Sequence, residues 1–175
     1  MSTEAMFKGI YQDRLLLQDG RILEHGWRSN IIVNRCRELL AGFMSGDSAL
    51  GIQYLAVGQG ELAWDSVQPA AANAETQQLV DVAPIEIPLS APAMTIEYLN
   101  SANNVVSGPT HRLQISVTLD PGIPPAPPGQ TTYPLREFAL FGRFGSEDYM
   151  IDYVRHPVIH KGMNDTLVRT IRLVF

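Results

Sequence analysis

Between His111 and Asp120 the chain alternates without a break. Leu113, Ile115, Val117 and Leu119 are apolar, and Gln114, Ser116, Thr118 and Asp120 between them are polar. Successive side chains of an extended strand point to opposite faces, so this period of two predicts a strand with one face in a core and one in water. Such a strand needs partners, and the rest of the sequence supplies them. Residues 133–142, 149–161 and 166–175 read as three further strands, with turn chemistry at Gly145-Ser146-Glu147-Asp148 and Gly162-Met163-Asn164-Asp165, and are expected to form a meander. The first should be central and covered on both faces, with Leu135, Ala139 and Phe141 on one side and Phe138 and Leu140 on the other. The last carries Leu167, Ile171, Leu173 and Phe175 on one face.

Upstream, Asp19-Gly20 between two apolar runs predicts a β-hairpin over about residues 10–25. One helix is expected, at about residues 31–44. There Ile32, Cys36, Leu39, Leu40 and Phe43 recur at three-and-four spacing, with Ser29-Asn30 as capping residues and Gly46 as terminator. Residues 51–58 read as a buried strand running into the Gly58-Gln59-Gly60 turn. Residues 79–89 and 93–99 read as a strand pair, with Pro84 and Pro88 holding the first to an edge or bend. Two long loops interrupt the pattern, at about residues 61–78 around Trp64 and at about 121–132, where Pro124, Pro125, Pro127 and Pro128 exclude a regular ladder.

With 175 residues, 45% hydrophobic and 18% charged, the chain is sized for one core, read as a single domain over 1–175. The predicted architecture is mainly β: an antiparallel β-sandwich of about seven or eight strands with the helix packed against it. The net charge of −5, with its 13 Lys and Arg scattered, argues against nucleic acid as a partner. Arg28, Arg35 and Arg37 come nearest to a cluster, and read as a solvated face. No apolar stretch is long enough to span a bilayer, and the start lacks the pattern of a secretory signal, which points to synthesis in the cytoplasm and no membrane partner.

The residues do not assemble a catalytic signature. Cys36 lies on the apolar helix face and reads as a buried hydrophobe. His156 and His160 are too far apart along a strand for one metal, and His25 and His111 have no ligand spacing around them. Asp148, Asp152 and Asp165 sit in or beside turns and read as solvated acids. The expectation is therefore no enzyme, no cofactor, no metal and no small-molecule ligand. Glu137, on a strand covered on both sides, needs a partner, and Arg155 or Arg169 is predicted to form a buried ion pair with it.

The succession of Trp27-Arg28-Ser29-Asn30-Ile31-Ile32-Val33-Asn34 into a helix, Ile52-Gln53-Tyr54-Leu55-Ala56-Val57-Gly58-Gln59-Gly60, Leu135-Arg136-Glu137-Phe138-Ala139-Leu140-Phe141-Gly142, Val158-Ile159-His160-Lys161 and residues 166–175 resembles phage tail-fibre and baseplate-associated proteins, including those of phage-like contractile injection systems. The resemblance spans residues 27–175 outside the two long loops. It implies a non-catalytic subunit of a virion or phage-like particle, a homo-oligomer in a symmetric assembly, with tube, sheath, baseplate, cap or fibre proteins as partners. Trp64 and the prolines 124, 125, 127 and 128 are the expected interface residues, together with open strand edges. The rivals are a carbohydrate- or receptor-binding module using Trp64, Tyr98, Tyr149 and Tyr153, and a hydrolase with two converging carboxylates.

Overall fold

The computed structural model describes residues 7–90 and 92–175. Ten strands and one helix follow in chain order: β1 (Lys8–Leu16), β2 (Ile22–Ile32), α1 (Asn34–Ser45), β3 (Ala49–Gly58), a 3₁₀ turn (Leu62–Asp65), β4 (Ile85–Pro88), β5 (Met94–Leu99), β6 (Val105–Val106), β7 (Arg112–Leu119), β8 (Thr132–Phe144), β9 (Glu147–Gly162) and β10 (Thr166–Val174). The strands pair antiparallel in the order β4-β3-β8-β9-β2-β1-β10-β7-β5-β6. The fold is mainly β with one helix among the described residues, as expected, but the strands described number ten and form one sheet curled into a half-barrel.

The curl is made at β2. Its first nine residues run beside β1, whereas it meets β9 only at Ile31 opposite Tyr153 and Ile32 opposite Asp152. The sheet folds over at that short link and its concave face closes on itself. Tyr11, Ile115, Val117 and Ile171 from one flank share a core with Leu55, Leu135, Phe138 and Leu140 from the other.

Several elements depart from the sequence reading. The helix starts at Asn34, after Val33, which caps it without a side-chain hydrogen bond; Ser29 to Ile32 belong to β2. Ile31 and Ile32 satisfy helical and strand periodicity equally, and β-branched residues next to a partner strand go to the ladder. Gly46 ends the helix at φ 79°, as expected. Phe43, assigned to the buried helix face, is 69% exposed. The hairpin is present, but its loop is longer than a two-residue Asp-Gly turn. The Gly20 amide donates to the Leu17 carbonyl, Leu17 and Arg21 close the ladder, and of the Asp-Gly pair only Gly20 has positive φ.

In the last third, β8 and β9 pair along their length, but β10 leaves β9 and inserts between β1 and β7, so the three strands are not a meander. β8 is buried on both faces because the loop after β3 lies on its outer side. There Leu79 joins Val33, Ala56, Ala139, Phe141, Met150 and Tyr153 in a second apolar cluster. Leu135 does not join Ala139 and Phe141. The β8–β9 register shifts between Leu135 and Glu137, where two steps along β8 face four along β9, and at this irregularity Leu135 lies in the inner core with Phe138 and Leu140. The strand expected over 79–89 is ordered as a strand only at β4, which pairs with β3 at one end of the sheet, while β5 lies near the other; the two are not a pair.

Candidate functional site

Three buried carboxylates show how the fold handles charge, and each does so differently. Glu137 is fully buried on β8, as anticipated, but it makes no ion pair among the described residues. The amides of Val80 and Asp81 donate to its two oxygens at 3.0 and 2.7 Å, and the Tyr153 hydroxyl donates a third hydrogen bond. Convergent N–H dipoles stabilise a carboxylate without a counter-charge, so the predicted pairing with Arg155 or Arg169 is replaced by the loop over residues 79–83. Arg155 is one step removed: its Nε donates to the Tyr153 hydroxyl at 3.2 Å, and its guanidinium lies 5.6 Å from the centre of the Trp64 ring.

Arg169 pairs instead with Asp13, directly opposite it on β1. Nε and Nη2 donate to the two carboxylate oxygens at 2.7 and 2.9 Å, and the guanidinium stacks 3.8 Å from the centre of the Phe138 ring. Burial alone would push the Asp13 carboxyl up; the charge and hydrogen bonds of Arg169 outweigh it and hold the group below the usual carboxylate range. Nη2 also meets His156 Nε2 at 3.1 Å, while His156 Nδ1 lies 2.8 Å from the Pro157 carbonyl oxygen. An arginine can only donate, so Nε2 is the acceptor and Nδ1 carries the proton. Burial, reinforced by the Arg169 charge, lowers His156 to about 3, and the ring is neutral.

Asp152 is the third. Read from the sequence as a solvated acid beside a turn, it is fully buried on β9 at the fold-over point. It accepts from the Leu140 amide at 2.8 Å and from Asn30 Nδ2 at 2.6 Å. Burial dominates and raises it to about 7. Asp148 and Asp165 are solvent-side residues, in contact with Arg143 and with the Gly162 amide respectively.

At the open end of the half-barrel the two flanks stand apart and α1 only partly fills the gap. The result is an apolar cleft of about 410 Å³, with Cys36, Leu39 and Ile52 on one wall and Leu113, Leu173 and Phe175 on the other. Among the described residues no charged side chain lines it. Its rim is exposed hydrophobe: Phe43, Leu50 (51% exposed) and Tyr98 (38%), with Met44 (83%) following Phe43 at the end of the helix. Burial raises the Cys36 thiol to about 12, so it is an inert wall residue.

The predicted interface residues are not brought together. Trp64 is buried, packed against Gly60 where the Arg136 guanidinium clamps Asp65 at 2.6 and 2.8 Å, so it fastens its own loop down. Pro124 is buried; Pro125 and Pro128 are exposed and Pro127 half-buried, on a loop held by Lys161, whose Nζ donates to the Asp120 carbonyl at 2.8 Å. Of the four aromatics considered for sugar binding, Trp64 and Tyr153 are buried and Tyr149 is stacked between Phe144 and Arg35. Arg28 is on β2, away from Arg35 and Arg37 on α1. Among the described residues no group of three or more His, Cys, Asp or Glu is placed to hold a metal, and no helix is long and apolar enough to cross a membrane. The rim of the cleft was missed in the sequence because Phe43 fits the helical face so well. Asp13 and the Asn30 contact of Asp152 were missed because the partners are far away in the chain. No family model, no curated protein and no solved structure matches the chain.

Proposed function

We propose that the protein is a non-enzymatic structural subunit of a phage tail or phage-like contractile injection particle, working by protein–protein assembly as a symmetric homo-oligomer. The observation that carries this reading is the apolar cleft with its exposed rim. An uncharged cleft bordered by Phe43, Met44, Leu50 and Tyr98 is costly to leave in water, and patches of this kind mark surfaces that a partner covers. The order of motifs from Trp27 to Phe175, which resembles tail-fibre and baseplate-associated chains, supplies the kind of partner. In this reading the two flanks of the curled sheet serve as the facing layers of a sandwich, held rigid by their common core, and the cleft is the end at which a neighbour docks. Many weak contacts of this sort add up in a ring or lattice through effective concentration. The reading is tested by co-expressing the protein with the products of the flanking genes and imaging the purified material by negative stain. Rings or tail-like complexes containing the chain are the expected outcome; a monomer indifferent to every flanking product would overturn it.

A further inference from the structure

Beyond the fold-over point, β2 and β9 diverge: β2 stays with β1 and β9 with β8, leaving a wedge between two strand edges. A small cavity of about 50 Å³ lies in it, lined by Tyr11, Asp13, His25, Arg28, His156 and Pro157 among others. The donors and acceptors there do not balance. Asp13 is paired through both oxygens with Arg169, and both His156 nitrogens are taken, one by Arg169 and the other by the Pro157 carbonyl. His25 Nδ1 is buried and has no hydrogen-bond partner. Arg28 forms no ion pair among the described residues, and its guanidinium lies beside the Tyr11 hydroxyl. The groups facing the space are thus a guanidinium whose only neighbour there is the Tyr11 hydroxyl, and an imidazole nitrogen with no partner, around a volume on the scale of one or two waters at ~30 Å³ each.

We propose that this wedge is a carboxylate-binding site, in which the Arg28 fork and the His25 ring together hold one carboxylate group. A planar carboxylate matches a guanidinium edge-on with two parallel hydrogen bonds. The one acid in the pocket, Asp13, is already neutralised by Arg169 and does not oppose a second. The open strand edges on either side leave room for an aspartate or glutamate carried on an extended segment, and a free small carboxylate would be held by the same groups. The site is on a different part of the molecule from the apolar cleft and stands or falls independently of the assembly reading.

The test is a titration of the protein with sodium acetate at constant ionic strength, following the His25 ring resonances by NMR and using sodium chloride as the control. Saturable movement with acetate and none with chloride is expected, weakened about tenfold or more in Arg28→Gln, whose exposed side chain should leave the melting temperature near that of the wild type. Light scattering on the same samples separates the sources. A mass that falls as acetate is added means that the carboxylate comes from a neighbouring copy, and an unchanged mass with saturable binding means a free ligand. His25→Gln, followed by calorimetry, serves if Arg28→Gln loses its fold. Ring resonances that do not move with acetate, that respond equally to chloride, or that respond equally in Arg28→Gln would overturn the proposal.

Discussion

Glu137 and Asp13 are both carboxylates on strands facing the interior, and the two regions around them solve the same problem in opposite ways. On the outer side of β8, the loop before β4 lays two backbone amides onto Glu137, a tyrosine hydroxyl from β9 joins them, and no cation is needed. On the concave side, Asp13 has no loop above it, only the strand next to it, and the charge is met by an arginine buried as deeply as itself. A backbone cradle can form only where irregular chain passes. Asp13 faces Arg169 across the regular β1–β10 ladder, whose amides are already paired, so a side chain must do the work. The difference predicts that the Asp13 region is the more brittle: losing one member there strands a whole charge, whereas the Glu137 cradle distributes the burden over three donors.

The largest expected effect follows. Arg169→Met should lower unfolding free energy by about 3–5 kcal/mol in urea titrations, because Asp13 is left buried and unpaired. Replacing both partners, Asp13→Leu with Arg169→Met, should recover most of the loss, and failure to recover would mean that the pair is held for more than charge balance.

Next comes Asp152, whose folded-state carboxyl sits at about 7. Its protonated form is favoured by folding, so its contribution is fully present below about pH 4 and is lost as pH rises through 7. From the ordinary value near 4, that amounts to at most about 4 kcal/mol. Asp152→Asn should remove this trend, gaining stability over wild type at pH 8 relative to pH 4.5 in parallel urea titrations; Asn30, whose Oδ1 is buried without a partner, can turn to accept from the new amide. His156 acts with the opposite sign. Lowered to about 3, it contributes above pH 6.5 and loses that contribution as pH falls toward 3, so Asp152→Asn should also expose a steeper acid limb.

Two smaller changes probe the cradle. Glu137→Gln sets an amide against one of the two loop amides and should cost about 1–3 kcal/mol, less than Arg169→Met. Tyr153→Phe removes a single donor and should cost about 1 kcal/mol, with the melting temperature as the readout. If either matched the Arg169 effect, the contrast between the regions would fail.

The regular parts of the molecule were readable from residues alone. Alternation in 113–120 placed β7 and its buried Ile115, Val117 and Leu119, and Gly46 marked the helix end. What could not be read was long-range or irregular. Asp13 and Arg169 stand at opposite ends of the chain, and no local pattern announces that they face each other. A register shift, at which two steps along β8 face four along β9, reversed Leu135, and periodicity has no means of seeing such an irregularity before the pairing is known. For the candidate site, the apolar character of Phe43 was legible but its exposure was not, since that depends on how far the two flanks stand apart. Trp64 shows the reverse: a loop aromatic that looked available is taken up by its own domain.

The most direct measurement is the solution mass of the protein by light scattering, across concentration and with the flanking gene products, compared with a Phe43→Ser/Leu50→Ser double variant. A defined complex or oligomer is expected for the wild type and its loss in the variant, whose folded spectrum should be unchanged because both side chains are exposed. A wild-type chain that remains monomeric throughout, or a variant that assembles as well as the wild type, would contradict the assembly reading.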